Sequence, residues 1–494
     1  MRPKERCLKM DEKIKEVLQK VLETIKPRNE EYERVWRVIE KLSSSLEKEA
    51  EKIGLEIKVE VEGSIAKDTW LAGARDVDIF LLFPKETPEN LLRKYGLTIA
   101  RRAVERVGGE YYETYAYHPY IRGLIEGYEI DIVPAYKMEK GEPLTPVDRT
   151  PFHTRYVLEH LSPEMKDEVR LLKQFMKGVG VYGAEIKVGG FSGYLCELLI
   201  IHYRNFIETL RHASRWIPWR TIIDIEGYYK GVPNSKLRRM LGFGSPLIVV
   251  DPIDKKRNVA AAVTLQKFSE FKAASRLFLD KPSTEFFFPK PTSPLKPREL
   301  REIISKRGSC LVAILLPCPK LPPDILWGEI YRSLRGLRKL LEDEGFKVNL
   351  SKVFSDERNF IFYFFELENC SLPPVVKHEG PPVGEEDRER KFLTKYLVEH
   401  RELVFSGPFI EGGKWIVYRK RRLLNVKEVL REKVNTARHG AHLRKIFSEG
   451  KFEIYVGEEI STVLTKYENS DLGTYISIWL KGTYPWLRVL ADEG

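Results

Sequence analysis

The sequence predicts an α+β multidomain protein, and three observations predict it. The first third mixes a strictly alternating strand with strands that are apolar on both faces, the middle turns helical, and the second half runs β-α-β-β. With 494 residues, 43% of them hydrophobic, the chain is long enough to bury several cores, about three or four.

Residues 11–25 place Ile14, Val17, Leu18, Val21 and Leu22 at helical spacing, and after Pro27 a second helix carries Tyr32, Val35, Trp36, Ile39, Leu42 and Leu46. "LEIKVEVE" sets Leu55, Ile57, Val59 and Val61 against Glu56, Lys58, Glu60 and Glu62, a strand with one wet face that ends at Gly63-Ser64. "DVDIFLLF" is apolar on both faces and reads as an internal strand. A helix near residues 89–107, an extended stretch near "AYHPYIRGLI" and the strand "YEIDIVPAY" complete an α/β unit of about 150 residues. From Glu164 to Leu210 the pattern is helical, with Ser192 as a cap. "LIVVDPIDKKRNVAAAV" reads as a strand, a loop and a short helix, and the proline-rich "KPSTEFFFPKPTSPLKPREL" as a linker. Beyond it, "CLVAILLP", the helix in "PPDILWGEIYRSLRGLRKLLEDEG", "FKVNLSKVF" and "NFIFYFFELE" follow the order of ferredoxin-like or RNA-recognition modules. The expected domains are 1–155, 156–275 and 276–494.

No apolar run approaches the ~20 residues a membrane helix needs, and the N-terminus lacks an apolar signal core, so an intracellular, cytoplasmic protein without a membrane partner is expected. Five scattered cysteines form no CxxC pair and read as small core residues, with neither a disulfide framework nor a zinc site. The net charge of +11 is concentrated. Between Lys414 and Lys451 stand twelve lysines and arginines against three glutamates, which points to a polyanionic partner. The 31% charged content and the three glutamines lean towards a thermophilic source.

Chemistry enters with acids on apolar strands. Asp76 and Asp78 open "DVDIFLLF" on one face, and Asp131 sits in "EIDIVP" with Val133 and Ala135. An isolated Asp-x-Asp is more often a capped turn, but three such carboxylates on neighbouring strands repel one another unless a cation sits among them. Hard oxygen ligands of this kind suit Mg²⁺, with phosphate oxygens completing its shell. The turn at Gly63-Ser64 permits close backbone approach and offers a hydroxyl to such phosphates.

Together these features resemble the DNA polymerase β-type nucleotidyltransferase superfamily. "EGSIAKDTWLAG", "HPYIRG", "EIDIVPAYK", "DRTPFHT", "RLLKQFMK", "VYGAEIKVGGFSGYLCELLI" and "DPIDKKRNVAAAV" look like the archaeal, class I CCA-adding enzymes, strongly over roughly residues 10–270. The resemblance implies a polymerase β-like nucleotidyltransferase head, a helical central nucleotide-binding neck and a C-terminal α+β body and tail that bind tRNA. It makes Asp76, Asp78 and Asp131 the catalytic acids and ligands of two Mg²⁺ ions. Gly63, Ser64, Lys67, His153, Lys173, Tyr182 and Arg257 become nucleotide contacts. Lys67 stands where relatives commonly carry an arginine, which keeps the charge and loses the bidentate fork. Lys166, Arg170, Lys173 and Lys177 form a basic stripe at helical spacing, for which a solvated face is the competing account. Arg419, Lys420, Arg421 and Arg422 are expected to grip the tRNA stem.

The implied activity is template-independent addition and repair of the tRNA 3′-terminal CCA from CTP and ATP, with release of pyrophosphate. A homodimer is an admitted assembly. Poly(A) polymerase or another terminal RNA nucleotidyltransferase is the alternative within the chemistry, and a non-catalytic RNA-binding protein the alternative outside it.

Overall fold

The computed structural model describes residues 3–115, 119–138, 145, 147–466 and 470–490. The chain forms two compact units, Met1–Pro291 joined by Thr483–Gly494, and Thr292–Gly482.

In the first unit, helices α1 (Pro3–Ile25) and α2 (Asn29–Glu51) precede β1 (Lys58–Glu62), the short α3 (Gly63–Ala66), β2 (Asp76–Phe83), α4 (Glu89–Arg106), β3 (Glu110–Tyr115), β4 (Pro119–Ile125) and β5 (Tyr128–Tyr136). The sheet order is β1-β2-β5-β4-β3, with β2 and β5 parallel and the other neighbours antiparallel. Residues 116–118 of the expected "AYHPYIRGLI" stretch lie outside the described residues. As its two apolar faces predict, β2 is internal. Val77, Ile79, Leu81 and Phe83 pack with Val35, Leu42 and Ile99 from α2 and α4, while Phe80 and Leu82 meet Ala135 on the other side.

A second core gathers around α5 (Arg149–His160), α6 (Pro163–Val179), α7 (Gly193–Tyr203) and α8 (Phe206–Ala213), followed by β6 (Ile222–Ile223), α9 (Asn234–Leu241), β7 (Ile248–Val249) and α10 (Leu265–Asp280). Ser192 caps α7, its hydroxyl accepting from the Leu195 amide. Val17, Val21 and Ile25 of α1 belong to this core and not to that of α2.

Three expectations change here. The stretch after Asn258 is a run of turns and not a short helix. The 275/276 boundary falls inside α10. "STEFFF" is no linker: Phe286 and Phe287 are buried and pack around Phe175 and Phe278. Prolines on both sides made a core segment read as punctuation, whereas three consecutive phenylalanines have more apolar surface to bury than a linker can hide.

The second unit builds its sheet from β8 (Cys310–Pro317), β9 (Val348–Ser355), β10 (Phe360–Leu367) and β14 (Glu453–Val456), in the order β14-β8-β10-β9. One face, with Val312, Ile314 and Leu316, packs on α12 (Pro323–Asp343), α14 (Val426–Lys433) and α15 (Ala441–Ser448). The other, with Leu311, Ala313 and Leu315, packs on α11 (Pro297–Arg307), α16 (Ile460–Lys466) and α17 (Ser470–Lys481). Two-sided cover explains why "CLVAILLP" carries no polar alternation. Between β10 and α14 lies a separate sheet, order β11-β13-β12, made of β11 (Val375–Pro382), β12 (Val404–Glu411) and β13 (Lys414–Lys420), with α13 (Glu386–Thr394) beside it. Cys310 and Cys370 are disulfide-bonded, which corrects the expectation that all the cysteines are simple core residues. The strand pairing of Cys310 with Leu367 brings together two cysteines that sequence spacing keeps sixty residues apart.

Candidate active site

Strand register assembles the acids. Asp78 lies directly beside Asp131 on the parallel β5, and Glu62 stands opposite Asp78 on β1. Because side chains alternate, the register that buries Val77 and Ile79 against the helices also fixes Asp76 and Asp78 on the opposite face.

Asp131 receives both prongs of Arg122 from β4, Nε donating at 2.5 Å to Oδ1 and Nη2 at 2.7 Å to Oδ2. Asp78 is left with repulsion. Burial, then the charges of Asp131 and Asp76, push its carboxyl up to about 6 against the opposing pull of Lys67 and Arg122. Burial likewise pushes Glu62 up to about 7.

Among the described residues no three acids, histidines or cysteines close into a metal cage, since Asp131 is turned onto Arg122 and Asp76 is exposed. The donor set still fits Mg²⁺. Magnesium is commonly held by one or two carboxylates with substrate phosphates and water, and the uncompensated negative charge around Asp78 is what a cation relieves. Gly63 makes room for this arrangement. Its φ is +70°, and a Cβ there would lie 2.0 Å from Asp78 Oδ2.

The loop between α3 and β2 is clamped from α6. Arg170, fully buried, donates to the Trp70 carbonyl at 2.9 Å, the Asp68 carbonyl at 2.8 Å and the Asp68 carboxylate. Lys173 donates to the Thr69 hydroxyl at 2.9 Å and its carbonyl at 3.1 Å. The expected basic stripe is therefore not a solvated face, because its two middle members point inward.

Lys173 also meets Glu197 of α7 at 3.3 Å, while Lys67 meets the other oxygen of Glu197 at 2.5 Å. Burial would raise Glu197, but the two lysines outweigh it and hold the carboxyl below its ordinary range. Burial pulls Lys173 below its ordinary value, with Glu197 opposing. Tyr182 joins this corner: a Cβ on Gly193 would stand 3.0 Å from its hydroxyl and 3.6 Å from Lys173 Cε. Lys177 lies over the Tyr182 ring at 5.4 Å. Ser64 lies in α3, its carbonyl accepting from the Thr69 amide.

His153 stacks on Tyr194 with ring centroids 4.1 Å apart, and its Nε2 is 3.1 Å from Asp251 Oδ2. The same Asp251, fully buried, accepts from Arg257 Nη1 at 2.7 Å and the Tyr194 hydroxyl at 3.3 Å. His153 and Arg257, distant in sequence, are thus joined through a residue that the sequence reading did not single out. Burial would raise Asp251, but hydrogen bonds and charge from His153, with Arg257, hold it far below the carboxylate range. Burial keeps His153 below its ordinary value. Glu197 and Asp251 carried one signal in common, an acid inside an otherwise apolar element, "YLCELLII" and "LIVVD".

The basic quartet of the second unit is not one surface. Arg421 Nη1 donates to the Glu344 carbonyl at 2.7 Å, just past the end of α12, and Arg422 pairs with Glu432 at 3.2 Å. Arg419 and Lys420, consecutive on β13, point to opposite faces.

With this geometry in place, the matches to known families are specific. The nucleotidyltransferase domain model covers residues 39–161 and the model for the tRNA nucleotidyltransferase second domain covers 167–288, so the chain is a nucleotidyltransferase. The model for the C-terminal domain of CCA-adding enzymes covers 307–457. The CCA-adding enzyme of Methanothermobacter thermautotrophicus is 41% identical, over 89% of this chain and 94% of that protein. That of Pyrobaculum islandicum is 39% identical, over 85% and 93%, and that of Methanopyrus kandleri 36%, over 95% and 97%. The chain belongs to the family of CCA-adding enzymes.

Proposed function

We propose that this enzyme adds and repairs the 3′-terminal CCA of tRNA from CTP and ATP without a nucleic-acid template, releasing pyrophosphate. The observation that carries the proposal is the register pairing of Asp78 with Asp131 beside Gly63-Ser64, in a chain covered along most of its length by CCA-adding relatives. Asp76 and Asp78 would hold two Mg²⁺ ions, and Asp131 one of them on exchanging its Arg122 partner. When bound, such ions lower the pKa of the attacking 3′-hydroxyl and neutralise the triphosphate.

The chain's own groups supply position and charge. Lys67 is buried, pairing with Glu197 at 2.5 Å and lying over the Tyr194 ring at 5.8 Å, so its ammonium ties Glu197 to the stack of Tyr194 on His153. Lys173, fixed by Thr69 and Glu197, holds the loop whose Thr69 amide bonds the Ser64 carbonyl of α3, and through it sets Ser64 towards a triphosphate. His153, Tyr182 and Arg257 are the proposed contacts to the sugar and base, with Asp251 orienting His153 through Nε2 and Arg257 through Nη1. A nucleotidyltransferase head, a helical neck whose last helix, α10, runs on to Asp280, and a tRNA-binding body and tail go with the same proposal, as do a cytoplasmic location and an admitted homodimer. Among the described residues no helix is long and apolar enough to cross a membrane.

The test is incubation of the purified protein with tRNA lacking CCA, Mg²⁺ and each labelled nucleotide. Addition of C, C and A followed by a stop is the expected result. Long poly(A) tails, or binding without incorporation, would overturn it.

A further inference from the structure

Arg421 is held at the end of α12 and Arg422 beside Glu432, and within the same basic segment Arg438 marks a second place where positive charge gathers. Its backbone lies directly on α12: a Cβ on Gly336 would stand 2.0 Å from the Arg438 carbonyl oxygen. The segment is held along the helix by further bonds, the Gly440 amide donating to Ser333 Oγ at 3.1 Å and the His442 amide to Glu329 at 3.0 Å. Glu329, Ser333 and Gly336 follow helical spacing, so one face of α12 seats this segment as a rigid rail.

Beside the rail runs an open groove of about 680 Å³, lined by Arg332, Arg335, Lys339, Thr436 and Arg438 among others. The acids at its end are occupied: Asp343 pairs with Lys339 at 3.3 Å, and Glu344 with Lys433 at 2.7 Å. Among the described residues, Arg332, Arg335 and Arg438 are exposed and form no ion pair. This contrasts with Arg338 on the same helix, which is matched four residues on by Glu342. A merely solvated helix face would mix its charges as Arg338 and Glu342 do; here the segment carrying Arg438 has been brought up against like charges and held there.

We propose that this groove binds the sugar-phosphate backbone of the RNA substrate, with Arg332, Arg335 and Arg438 as three phosphate contacts. The inference rests on the assignment of tRNA as substrate. Arg332 and Arg335 stand about one turn apart on α12, roughly 4.5 Å of rise at ~1.5 Å per residue, and Arg438 lines the same groove, so the three charges gather along one short stretch of backbone. Guanidinium groups suit such contacts because their forks meet phosphate oxygens in pairs, and a backbone contact needs no base sequence.

The experiment measures binding of full-length protein to tRNA lacking CCA over a salt series, with CCA addition by the same preparations. In the variant Arg332→Gln, Arg335→Gln, Arg438→Gln, loss of three contacts at ~0.7–0.9 each flattens the slope of log K against log salt by ~2.1–2.7. The wild-type advantage then falls roughly 20–40-fold between 50 and 200 mM salt. The KM for CTP at saturating tRNA stays unchanged. The corresponding triple lysine variant keeps the charge and the slope, which separates contact loss from misfolding. Arg338→Gln, outside the groove, leaves the slope within half a unit. If wild type adds CCA yet the glutamine variant keeps its slope, or Arg338→Gln changes it equally, the groove proposal is overturned alone. A raised KM for CTP also overturns it, by making the groove a nucleotide site. Failure of wild type to bind or extend this tRNA overturns the substrate assignment as well.

Discussion

Gly63→Ala isolates the geometry of the acids from the stability of the fold. Two effects follow from the structure. The backbone at φ +70° is left-handed, which costs an L-residue about 1–2 kcal/mol. The new methyl would stand 2.0 Å from Asp78 Oδ2, where ordinary contacts begin near 3.4 Å, so the carboxylate must retreat by more than an ångström. Carboxylate ends rotate cheaply, so the displacement adds little to the fold's cost, but a misplacement of ~1 Å at reacting groups costs on the order of 100-fold in rate. Gly180→Ala is the control, since Gly180 has φ +80° and nothing within 4 Å of the added methyl. Both variants should lose about 1–2 kcal/mol, lowering Tm by roughly 2–8 °C in a unit of this size. Single-turnover CMP addition should fall ~100-fold or more for Gly63→Ala and stay near wild type for Gly180→Ala. If Gly63→Ala melts as expected yet keeps activity within tenfold of wild type, the position of Asp78 does not govern the reaction and the assignment of the acids is refuted.

Asp78→Asn should abolish CMP and AMP addition while raising metal-free stability at pH 7. The carboxyl lies at about 6 against an ordinary 3.8, a gap of about two units or roughly 3 kcal/mol. Because the native form holds this proton more tightly, wild-type stability rises as pH falls from 6 towards 4 and the variant lacks that rise; identical urea profiles over this window would contradict the burial of an unpaired Asp78. Asp251→Asn acts with the opposite sign: the native carboxyl is held low, so its contribution is present above about pH 4 and lost below it. The variant should be less stable by roughly 1–3 kcal/mol at pH 7, with the gap closing in acid, and its KM for both CTP and ATP should rise. Glu197→Gln leaves Lys67 and Lys173 buried without a counter-charge and should cost about 3–5 kcal/mol in chemical denaturation; a change below 1 kcal/mol would show that water reaches the pair.

The fold was legible where burial leaves a period. "DVDIFLLF" declares two-sided cover and β2 has it, whereas the wet face expected of "LEIKVEVE" holds at Lys58 and fails at Glu62, which is buried opposite Asp78. Legibility failed where composition imitates a different element. The prolines around Phe286 and Phe287 look like a linker until the phenylalanines find Phe175, a contact across more than a hundred residues that no local window contains. The same holds for Cys310 and Cys370, which become neighbours only through the pairing of β8 with β10.

The site divides along the same line, and the division explains which residues were missed. Asp76, Asp78 and Asp131 stood out because each is an acid on an apolar strand, and strand register alone makes Asp78 and Asp131 neighbours. Lys67 and Lys173 were found as charges in a motif, but their partner was not, because Glu197 lies on a helix apolar all round, where side-chain direction and not spacing decides what it meets. A buried acid is costly unless a cation reaches it, so an acid in an apolar element carries a promise of a distant partner. That rule led to Mg²⁺ for the strand acids; applied to "YLCELLII" and "LIVVD", it leads to Lys67, Lys173, His153 and Arg257. The two halves of the proposed nucleotide pocket are thus held together by internal counter-ions, and the groups left short of positive charge are the acids at the start of β2.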